Sequence, residues 1–291
     1  MKNILITGAF GFIGLHLLAE LKKYKYNLFT FSRSKKKLAN HFSGNLLDEN
    51  NFDEILNHIK PQIIIHLAWE TTPPRFYNHK SNIKWSSATI NLIEKFFLQG
   101  GEKFIFSSTC DEYEIKANEK NINELNTCKP KTLYGKSKNL VSNFLEKNFK
   151  NKSLILRNFF VCGPGENKNK LLSSIILNLN NDMSINLRRP NDLIDFIDVR
   201  DVAKIISQFA VDKNYGIFNI GSATSNTPLN LTKKIIKIKG KFDNKDIINN
   251  TKQAEVIRII SDNSKLKNTL KYKIKFNINE TISDLIKIYD V

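Results

Sequence analysis

The stretch Thr7-Gly8-Ala9-Phe10-Gly11-Phe12-Ile13-Gly14 decides the fold class of this chain. Its glycines have the spacing Gly-x-x-Gly-x-x-Gly, after a β-branched apolar run at residues 2–7 and before an amphipathic pattern at 12–23. This order is typical of a dinucleotide-binding unit, because the turn and the positive helix end hold a pyrophosphate. Gly8 permits the tight turn, Gly11 lets the backbone approach the ligand, and Gly14 allows close helix–strand packing. We therefore predict a cofactor cradle that also includes Phe10, Phe12 and Ile13.

The end of the second predicted strand indicates which dinucleotide binds. The segment Phe31-Ser32-Arg33-Ser34 lacks the acid that an NAD site commonly places about 20 residues after the glycines, where it grips the adenosine ribose. An acid there would repel a 2′-phosphate, whereas the Arg33 guanidinium can pair with it. Ser32 and Arg33 therefore predict NADP(H). Stacking of Arg33 on adenine without a phosphate is the alternative.

Strands and helices alternate along the rest of the chain. Apolar runs predict further strands at 26–31, 62–67, 103–107, 153–156 and 217–220, and residues 184–188 are predicted to form an isolated strand. Helical patterns occupy 51–59, 83–98, 134–149, 168–180, 198–211, 228–238 and 278–288. Strands that alternate with helices indicate βαβ units and a parallel sheet.

We therefore predict an α/β fold, a doubly wound parallel sheet of Rossmann type with a smaller α+β C-terminal substrate domain. Residues 1–160 are expected to form the dinucleotide-binding domain, which residues at about 196–222 rejoin. Residues 161–291 are expected to be mainly substrate-binding, so the two domains are interleaved.

A second motif, Tyr134-Gly135-Lys136-Ser137-Lys138, places a phenol and an ammonium four residues apart. On a helix these two side chains share one face. A nearby Lys⁺ favours the phenolate, so Lys138 is expected to lower the pKa of Tyr134 from about 10. Tyr134 is then a candidate general acid or base near neutral pH. An exposed helix pair is the alternative on this motif alone.

Composition limits the other classes of protein. A hydrophobic fraction of 41% can bury a core, and no run of about 18 apolar residues predicts a membrane span. The first residues lack a signal-peptide pattern, so a cytoplasmic location is expected. Three cysteines and five histidines without close pairs predict neither a disulfide scaffold nor a metal site. The net charge of +17 suggests nucleic acid, but Lys is spread along the whole chain, so we predict only general attraction of anionic substrates.

Together, the glycine-rich cradle and the Tyr134–Lys138 pair resemble those of the extended short-chain dehydrogenase/reductases. This is the NAD(P)-dependent nucleotide-sugar epimerase, dehydratase and reductase family. The resemblance runs nearly end to end. Seven further segments resemble family elements in the family's order: Gly44-Asn45-Leu46-Leu47-Asp48, His66-Leu67-Ala68, Ser107-Ser108-Thr109, Gly163-Pro164-Gly165, 195–203, 218–221 and 262–266.

The resemblance implies roles for the cofactor-lining residues. Asn45 and Leu46 are expected to touch adenine, with Asn45 replacing the family's acid and keeping a carbonyl acceptor. Leu67 and Ala68 are expected to line the cofactor. Thr109 is implied as the third catalytic hydroxyl, next to the phenol and the ammonium.

The resemblance also implies a mechanism. NADPH delivers a hydride to a ketone carbon of a sugar, and Tyr134 gives its proton to the developing alkoxide. Thr109 donates a hydrogen bond to the same oxygen. Lys138 holds the nicotinamide ribose and tunes Tyr134.

Some positions depart from the family pattern. Cys110 stands where dehydratases carry the first acid of a catalytic pair, which makes paired-carboxylate elimination doubtful, although Asp111 or Glu112 could still act or serve only as surface or capping carboxylates. Phe160 and Ile194 replace residues that commonly touch the substrate's diphosphate or sugar. Basic residues that could substitute for them are Lys168, Arg188, Arg189, Lys252 and Arg258, of which we favour Lys252 and Arg258 as substrate ligands.

The resemblance therefore predicts NADP(H)-dependent reduction of a 4-keto nucleotide-linked deoxysugar, a reaction typical of polysaccharide biosynthesis. A nucleotide-sugar 4-epimerase or dehydratase of the same family is the first alternative. Reduction of a small ketone or aldehyde is another. A non-catalytic NADP-sensing regulator is a third, although such proteins commonly lose the tyrosine that is present here.

Two predicted helices also indicate self-association. In this family the helices near 83–98 and 134–149 often pair across a two-fold axis. Apolar residues Ile90, Phe97, Leu140 and Phe144 lie on them, so we predict a homodimer, with burial of these residues inside one monomer as the alternative.

Overall fold

A seven-stranded sheet forms the centre of the computed structural model, which describes residues 1–48, 51–73, 75–115, 120–240, 248–250 and 255–290. Its strands are β1 (Asn3–Thr7), β2 (Asn27–Ser32), β3 (His41–Ser43), β4 (Ile63–His66), β5 (Lys103–Thr109), β6 (Ser153–Asn158) and β11 (Gly216–Ile220). Their order is β11-β6-β5-β4-β1-β2-β3, and all neighbours are parallel. The predicted doubly wound parallel sheet of Rossmann type is confirmed.

Helices cover both faces of this sheet and continue into the C-terminal part. They are α1 (Phe12–Leu21), α2 (Asn51–Ile59), α3 (Ser81–Leu98), α4 (Leu133–Phe149), α5 (Leu171–Asn180), α6 (Val199–Val211), α7 (Pro228–Ile238), α8 (Ser264–Leu270) and α9 (Ile278–Tyr289). Within the described ranges, none of these helices combines the length and the apolar character that crossing a bilayer requires.

The apolar residues of the sheet divide between two cores because successive strand side chains point to opposite faces. On β1, Ile4 and Ile6 pack into one core with α1 and α6, whereas Leu5 packs into the other with α2, α3 and α4. Strands covered on both faces become continuous apolar runs. This explains why the sequence of β4, Ile-Ile-Ile-His, has no polar alternation and is fully buried.

A third apolar core lies in the C-terminal part, where α5, α7 and α9 pack together. Short parallel strand pairs border it. Their strands are β7 (Phe160–Cys162), β8 (Ile185–Leu187), β9 (Leu193–Ile194), β10 (Phe196–Asp198), β12 (Ile248–Asn250) and β13 (Arg258–Ile259), paired as β7–β10, β8–β12 and β9–β13.

The prediction of an isolated strand at 184–188 is wrong, because β8 pairs with β12 more than sixty residues later in the chain. Sequence analysis also missed β3, β7, β9, β10, β12, β13 and α8. Each of these strands has two or three residues, too few to show an alternating pattern, and all of them except β3 pair with segments distant in sequence.

The parallel sheet determines where the predicted site residues meet. All strands of the sheet end at the same edge, and the segments after β1, β2, β4 and β5 carry the glycine-rich turn, Ser32-Arg33, Leu67-Ala68 and Thr109. Ligands of open α/β sheets bind outside the carboxyl ends of the strands.

Candidate active site

Close backbone contacts shape the glycine-rich turn between β1 and α1. Gly8 has a φ of +72°, and a Cβ atom there would lie 2.7 Å from the backbone N of Ala68. A Cβ atom on Gly14 would lie 2.3 Å from the carbonyl oxygen of Gly8. Gly11 is the N-cap of α1 and provides no capping side chain, so the helix N-terminus fits an anion such as a pyrophosphate. The other predicted cradle residues lie on the same turn and the first helical turn: Phe10, Phe12 and Ile13.

Cationic and hydroxyl side chains follow β2. Ser32 ends this strand, and its Oγ donates to the carbonyl oxygen of Ser34 at 3.1 Å. Arg33 is exposed, and so is Lys36, whose Nζ lies 5.4 Å from the ring centroid of Phe10 on the glycine-rich turn. Residues 32–36 contain no carboxylate, so this surface is suited to an additional phosphate.

The remaining predicted cofactor residues lie at the same edge of the sheet. The Asn45 side-chain oxygen accepts from the backbone N–H two residues later at 3.2 Å, and the Leu46 side chain packs into the core. After β4, the backbone N–H groups of Leu67 and Ala68 donate to the carbonyl and hydroxyl oxygens of Thr7, at 3.1 and 3.4 Å. These bonds fix the β4 end beside the glycine-rich turn.

The structure brings the three predicted catalytic side chains together. Thr109 is the last residue of β5, and Tyr134 lies in the first turn of α4. Thr109 and Tyr134 lie within interaction range of each other. Lys138 follows one helical turn later, with its Nζ 5.9 Å from the Tyr134 ring centroid. The Thr109 hydroxyl also accepts from the backbone N–H of Asp111 at 3.2 Å, which holds it at the strand end.

The Lys138 ammonium is buried among aromatic rings. Its Nζ donates to the carbonyl oxygen of Ser107 at 2.7 Å and lies 3.9 Å from the ring centroid of Trp69 and 4.6 Å from that of Phe106. Burial lowers the pKa of Lys138 to about 7, although the negative charge of Glu112 opposes this shift.

The expected lowering of the Tyr134 pKa is wrong for this structure. Burial raises the pKa of Tyr134 above its usual range, and the charges of Asp111 and Tyr77 add to that, while the hydrogen bond with Thr109 opposes it. The cost of desolvating a phenolate outweighs the nearby ammonium. At neutral pH Tyr134 is therefore a neutral phenol, and its raised pKa makes the phenolate costly unless a cation stabilises it.

Glu112, considered above as a catalytic or surface carboxylate, is fully buried and paired. Its Oε2 accepts from Arg157 Nε at 2.8 Å, and its Oε1 accepts from the hydroxyls of Ser108 and Ser142, the latter at 2.7 Å. Both partners of the ion pair have side chains at most 3% exposed. These bonds occupy both carboxylate oxygens, which gives Glu112 a structural role behind the catalytic residues.

Asp111 lies at the site itself. Its carboxylate accepts from the hydroxyl of Thr132, the N-cap residue of α4. Burial raises its pKa, opposed by hydrogen bonds from Thr132 and Gly135. A Cβ atom on Gly135 would lie 2.4 Å from the Asp111 carbonyl oxygen, so Asp111 and the start of α4 are packed tightly together.

The predicted substrate-binding cations are only partly described. Lys252 lies outside the described residues. Arg258 is partly buried on β13 and donates to the Asn121 side-chain oxygen at 2.8 Å. Arg189 forms an ion pair with Asp192. Lys168 and Arg188 are exposed.

Sequence analysis missed four residues that surround the predicted catalytic pair. Trp69 covers Lys138, and the ring centroids of Phe76 and Tyr77 lie 5.0 and 6.3 Å from that of Tyr134. Asn82 hydrogen-bonds the indole of Trp69 at 2.8 Å. Only the position of Trp69, directly after His66-Leu67-Ala68, was a usable signal.

Several characterised proteins are similar to this chain. A dTDP-D-glucose 4,6-dehydratase of Dictyostelium discoideum is 29% identical over 276 residues, 82% of this chain and 62% of that protein. A putative UDP-glucose 4-epimerase of Methanocaldococcus jannaschii is 26% identical over 97% of each chain. A dTDP-4-dehydro-6-deoxyglucose reductase of Escherichia coli is 26% identical over 85% of this chain and 84% of its own. The chain thus spans less than two thirds of the dehydratase but most of the other two.

Solved structures share the fold at low identity. The dTDP-glucose 4,6-dehydratase of Bacillus anthracis in complex with NAD superimposes with a TM-score of 0.85 at 20% identity, covering 100% of this chain and 97% of its own. RMD of Pseudomonas aeruginosa complexed with NADPH gives a TM-score of 0.83 at 19% identity, covering 100% and 99%.

The family model described as the NAD dependent epimerase/dehydratase family matches residues 4–221. That range contains the glycine-rich turn, Thr109, Tyr134 and Lys138, and it ends with the last strand of the central sheet. The chain therefore belongs to the NAD dependent epimerase/dehydratase family.

Proposed function

We propose that this protein reduces the 4-keto group of a nucleotide-linked deoxysugar with NADP(H). Relatives across the family include dehydratases, epimerases and reductases of nucleotide sugars, one of them a dTDP-4-dehydro-6-deoxyglucose reductase. The observation that carries the proposal is the assembly of Thr109, Tyr134 and Lys138 at the carboxyl edge of the sheet. Reduction of a ketone needs a group that gives a proton to the developing alkoxide, and a phenol in this position can serve as that group.

The residues of this chain then divide the work of proton transfer. A bound nicotinamide supplies the hydride. Tyr134 donates its phenolic proton to the ketone oxygen, so that negative charge does not accumulate there. Thr109 donates a hydrogen bond to the same oxygen. Lys138 would hold the nicotinamide ribose and, when charged, would stabilise the phenolate that proton transfer leaves on Tyr134.

The C-terminal part is proposed to hold the sugar nucleotide. Its apolar core is separate from the two cores of the sheet, which agrees with a substrate domain formed mainly by residues 161–291, next to a dinucleotide domain of 1–160 rejoined at about 196–222. Arg258 reaches the segment near Asn121, and its neighbour Ile259 packs beside Cys110, which follows Thr109. We propose Arg258, together with Lys252, as ligands of the substrate diphosphate.

The direct test is the stoichiometry of the cofactor. With a 4-keto nucleotide sugar, a reductase oxidises one NADPH for each sugar converted, so the absorbance of NADPH is expected to fall in step with substrate. Sugar products are quantified in the same reaction by chromatography. Conversion of a 4-hydroxy nucleotide sugar without net NADPH oxidation contradicts the reductase and identifies an epimerase or dehydratase.

We also propose that NADP(H) binds at least tenfold more tightly than NAD(H), because Arg33 and Ser32 stand where an acid would repel the 2′-phosphate. Arg33→Ala is expected to narrow this preference by about 1–3 kcal/mol, the scale of a hydrogen bond to a charged group. Calorimetric titration with NADP(H) and with NAD(H) measures the preference in the wild type and in the variant. Lys37→Ala, which removes an exposed charge nearby in sequence, is the control. Equal affinities of the wild type for both cofactors contradict the assignment.

The second candidate is a 4-epimerase, which the full-length similarity to a putative UDP-glucose 4-epimerase favours. A dehydratase is less well supported by the site. Cys110 replaces the first acid of the expected pair, and Glu112 has both carboxylate oxygens occupied by structural partners.

We propose that the protein is a homodimer formed through α3 and α4. Phe97 and Phe144 pack around Phe149 within the monomer, so these two residues contribute less free surface than their sequence indicated. Leu140 on α4 and Ile83 on α3 remain 54% exposed each. Light scattering at micromolar concentration is expected to give twice the 33.5 kDa chain mass, and a monomer contradicts the proposal.

A further inference from the structure

Asn82 is a buried amide at the start of α3 whose hydrogen bonds fix its orientation. It is 1% exposed. Its side-chain oxygen accepts from the Trp69 indole N–H at 2.8 Å, and its NH₂ group donates to the carbonyl oxygens of Phe76 and His79 at 2.6 and 2.9 Å. If the Asn82 amide were flipped, its oxygen would face the two carbonyl oxygens and its NH₂ group would face the indole N–H. Only the observed orientation therefore satisfies all three partners.

The hydrogen bond from the Trp69 indole connects Asn82 to Lys138, because the Trp69 ring contacts both residues. The Trp69 ring centroid is 3.9 Å from the Lys138 Nζ, within the range of a cation–π contact. Trp85, one helical turn after Asn82, stacks on Trp69 with centroids 6.0 Å apart and an interplanar angle of 29°. Helix α3 therefore holds the indole through one polar and one apolar contact, and the indole covers the ammonium.

The other two bonds reach Tyr134. They hold the backbone of the segment that carries Phe76 and Tyr77, whose rings stack on each other at 4.1 Å and meet Tyr134 nearly edge-on. The Asn78 side-chain oxygen in this segment accepts from the backbone N–H of Leu133, next to Tyr134, at 3.2 Å. The segment thus braces the N-terminal turn of α4.

We propose that Asn82 is a positioning residue of this active site, acting through Trp69 on Lys138 and through the segment at Phe76 on Tyr134. This rests on the proposed function only in assigning proton transfer to Tyr134 and Lys138. Asn82 lies in neither the cradle nor the catalytic group. A single buried amide connects the two side chains that proton transfer must keep in register, and small displacements of such groups cost large factors in rate.

Fluorescence tests the first part independently of catalysis. The chain has two tryptophans, Trp69 and Trp85, so Trp85→Phe leaves Trp69 as the reporter and keeps an aromatic ring behind it. In that background, Asn82→Ala is expected to shift the Trp69 emission to longer wavelength, because the indole loses its acceptor and gains access to water. An unchanged emission spectrum overturns the proposal, whatever reaction the protein catalyses.

Kinetics tests the second part. Asn82→Ala is expected to lower kcat roughly tenfold or more, and to weaken NADPH binding less than Lys138→Ala does, because the ammonium is displaced rather than removed. Trp69→Phe keeps an aromatic ring but lacks the N–H, and its kcat is expected to lie between those of the wild type and Asn82→Ala. This variant also replaces Asn82→Ala in the test if Asn82→Ala fails to fold. Ser86→Ala on the same helix removes a buried hydroxyl that donates to the Ile83 carbonyl oxygen at 2.8 Å, and should retain full kcat.

The assays use a 4-keto nucleotide sugar or, if the wild type only epimerises, a 4-hydroxy nucleotide sugar. Absence of reduction by the wild type therefore refutes the proposed function without affecting this comparison. A wild-type kcat in folded Asn82→Ala overturns the positioning role even if the emission shifts, because the contact would then order the ring without serving catalysis. If Asn82→Ala does not fold, a wild-type kcat in Trp69→Phe also overturns the positioning role of Asn82.

Discussion

Tyr134→Phe is expected to lower turnover by about 10²–10⁴ or more, the range of general acid catalysis, while the affinity for NADPH stays nearly unchanged. The substitution removes one hydroxyl and leaves the ring between Trp69 and Phe76. The variant therefore loses the proposed proton donor and keeps the packing around it. Single-turnover oxidation of NADPH with a 4-keto nucleotide sugar measures the loss.

Two further variants make this result specific. Lys138→Ala is expected to impair both NADPH affinity and turnover, because the ammonium is proposed to hold the ribose and to support the phenolate. Thr109→Ala is expected to cost less than Tyr134→Phe, and Thr109→Ser little, because water can replace part of one hydrogen bond. Near-wild-type hydride transfer by Tyr134→Phe would show that this group is not the active site.

Glu112→Gln is expected to reduce the free energy of unfolding by about 3–5 kcal/mol, because it leaves the Arg157 guanidinium buried without its counter-charge. The pair is 2.8 Å apart, and its side chains are 3% and 0% exposed. Ser108 and Ser142, which donate to the same carboxylate, are neutral and provide no negative charge that could replace it beside Arg157. Urea unfolding followed by circular dichroism measures the difference.

A double-mutant cycle separates the ion pair from general damage. Glu112→Gln combined with Arg157→Met removes both charges and is expected to lose clearly less stability than the two single variants added together. The matched exposed pair is Lys2 with Glu102, whose side chains are 51% and 49% exposed. Glu102→Gln should change stability by less than about 1 kcal/mol. If Glu112→Gln and Glu102→Gln lose equal stability, burial does not explain the cost of breaking the Glu112–Arg157 pair.

The central sheet could be predicted because its signals are local. The apolar strand at Asn3–Thr7, the glycine triplet and the helix after it specify a βα unit within about twenty residues, and Ile-Ile-Ile-His can only be a strand buried on both faces. The pair Ile185–Leu187 and Ile248–Asn250 could not be predicted, because neither segment contains information about its distant partner.

The candidate site was predictable to a similar extent. Spacing on one helix predicted that Tyr134 and Lys138 lie together, and the resemblance of Ser107-Ser108-Thr109 to a family element implied Thr109 as their neighbour. The direction of the Tyr134 pKa shift was not predictable, because it depends on how much water the surrounding rings exclude. Those rings come from a segment about 60 residues earlier, whose approach to α4 is set by tertiary packing.

The order of strands in the sheet has a consequence for biosynthesis. β6 ends at Asn158, but its outer neighbour β11 begins only at Gly216, after α5 and α6 have been made. Until then a nascent chain presents the unpaired N–H and C=O groups of β6, an apolar strand, as an open edge, and such an edge is a template for pairing with other chains. We therefore expect chains that stop between these two strands to aggregate more readily than the full chain.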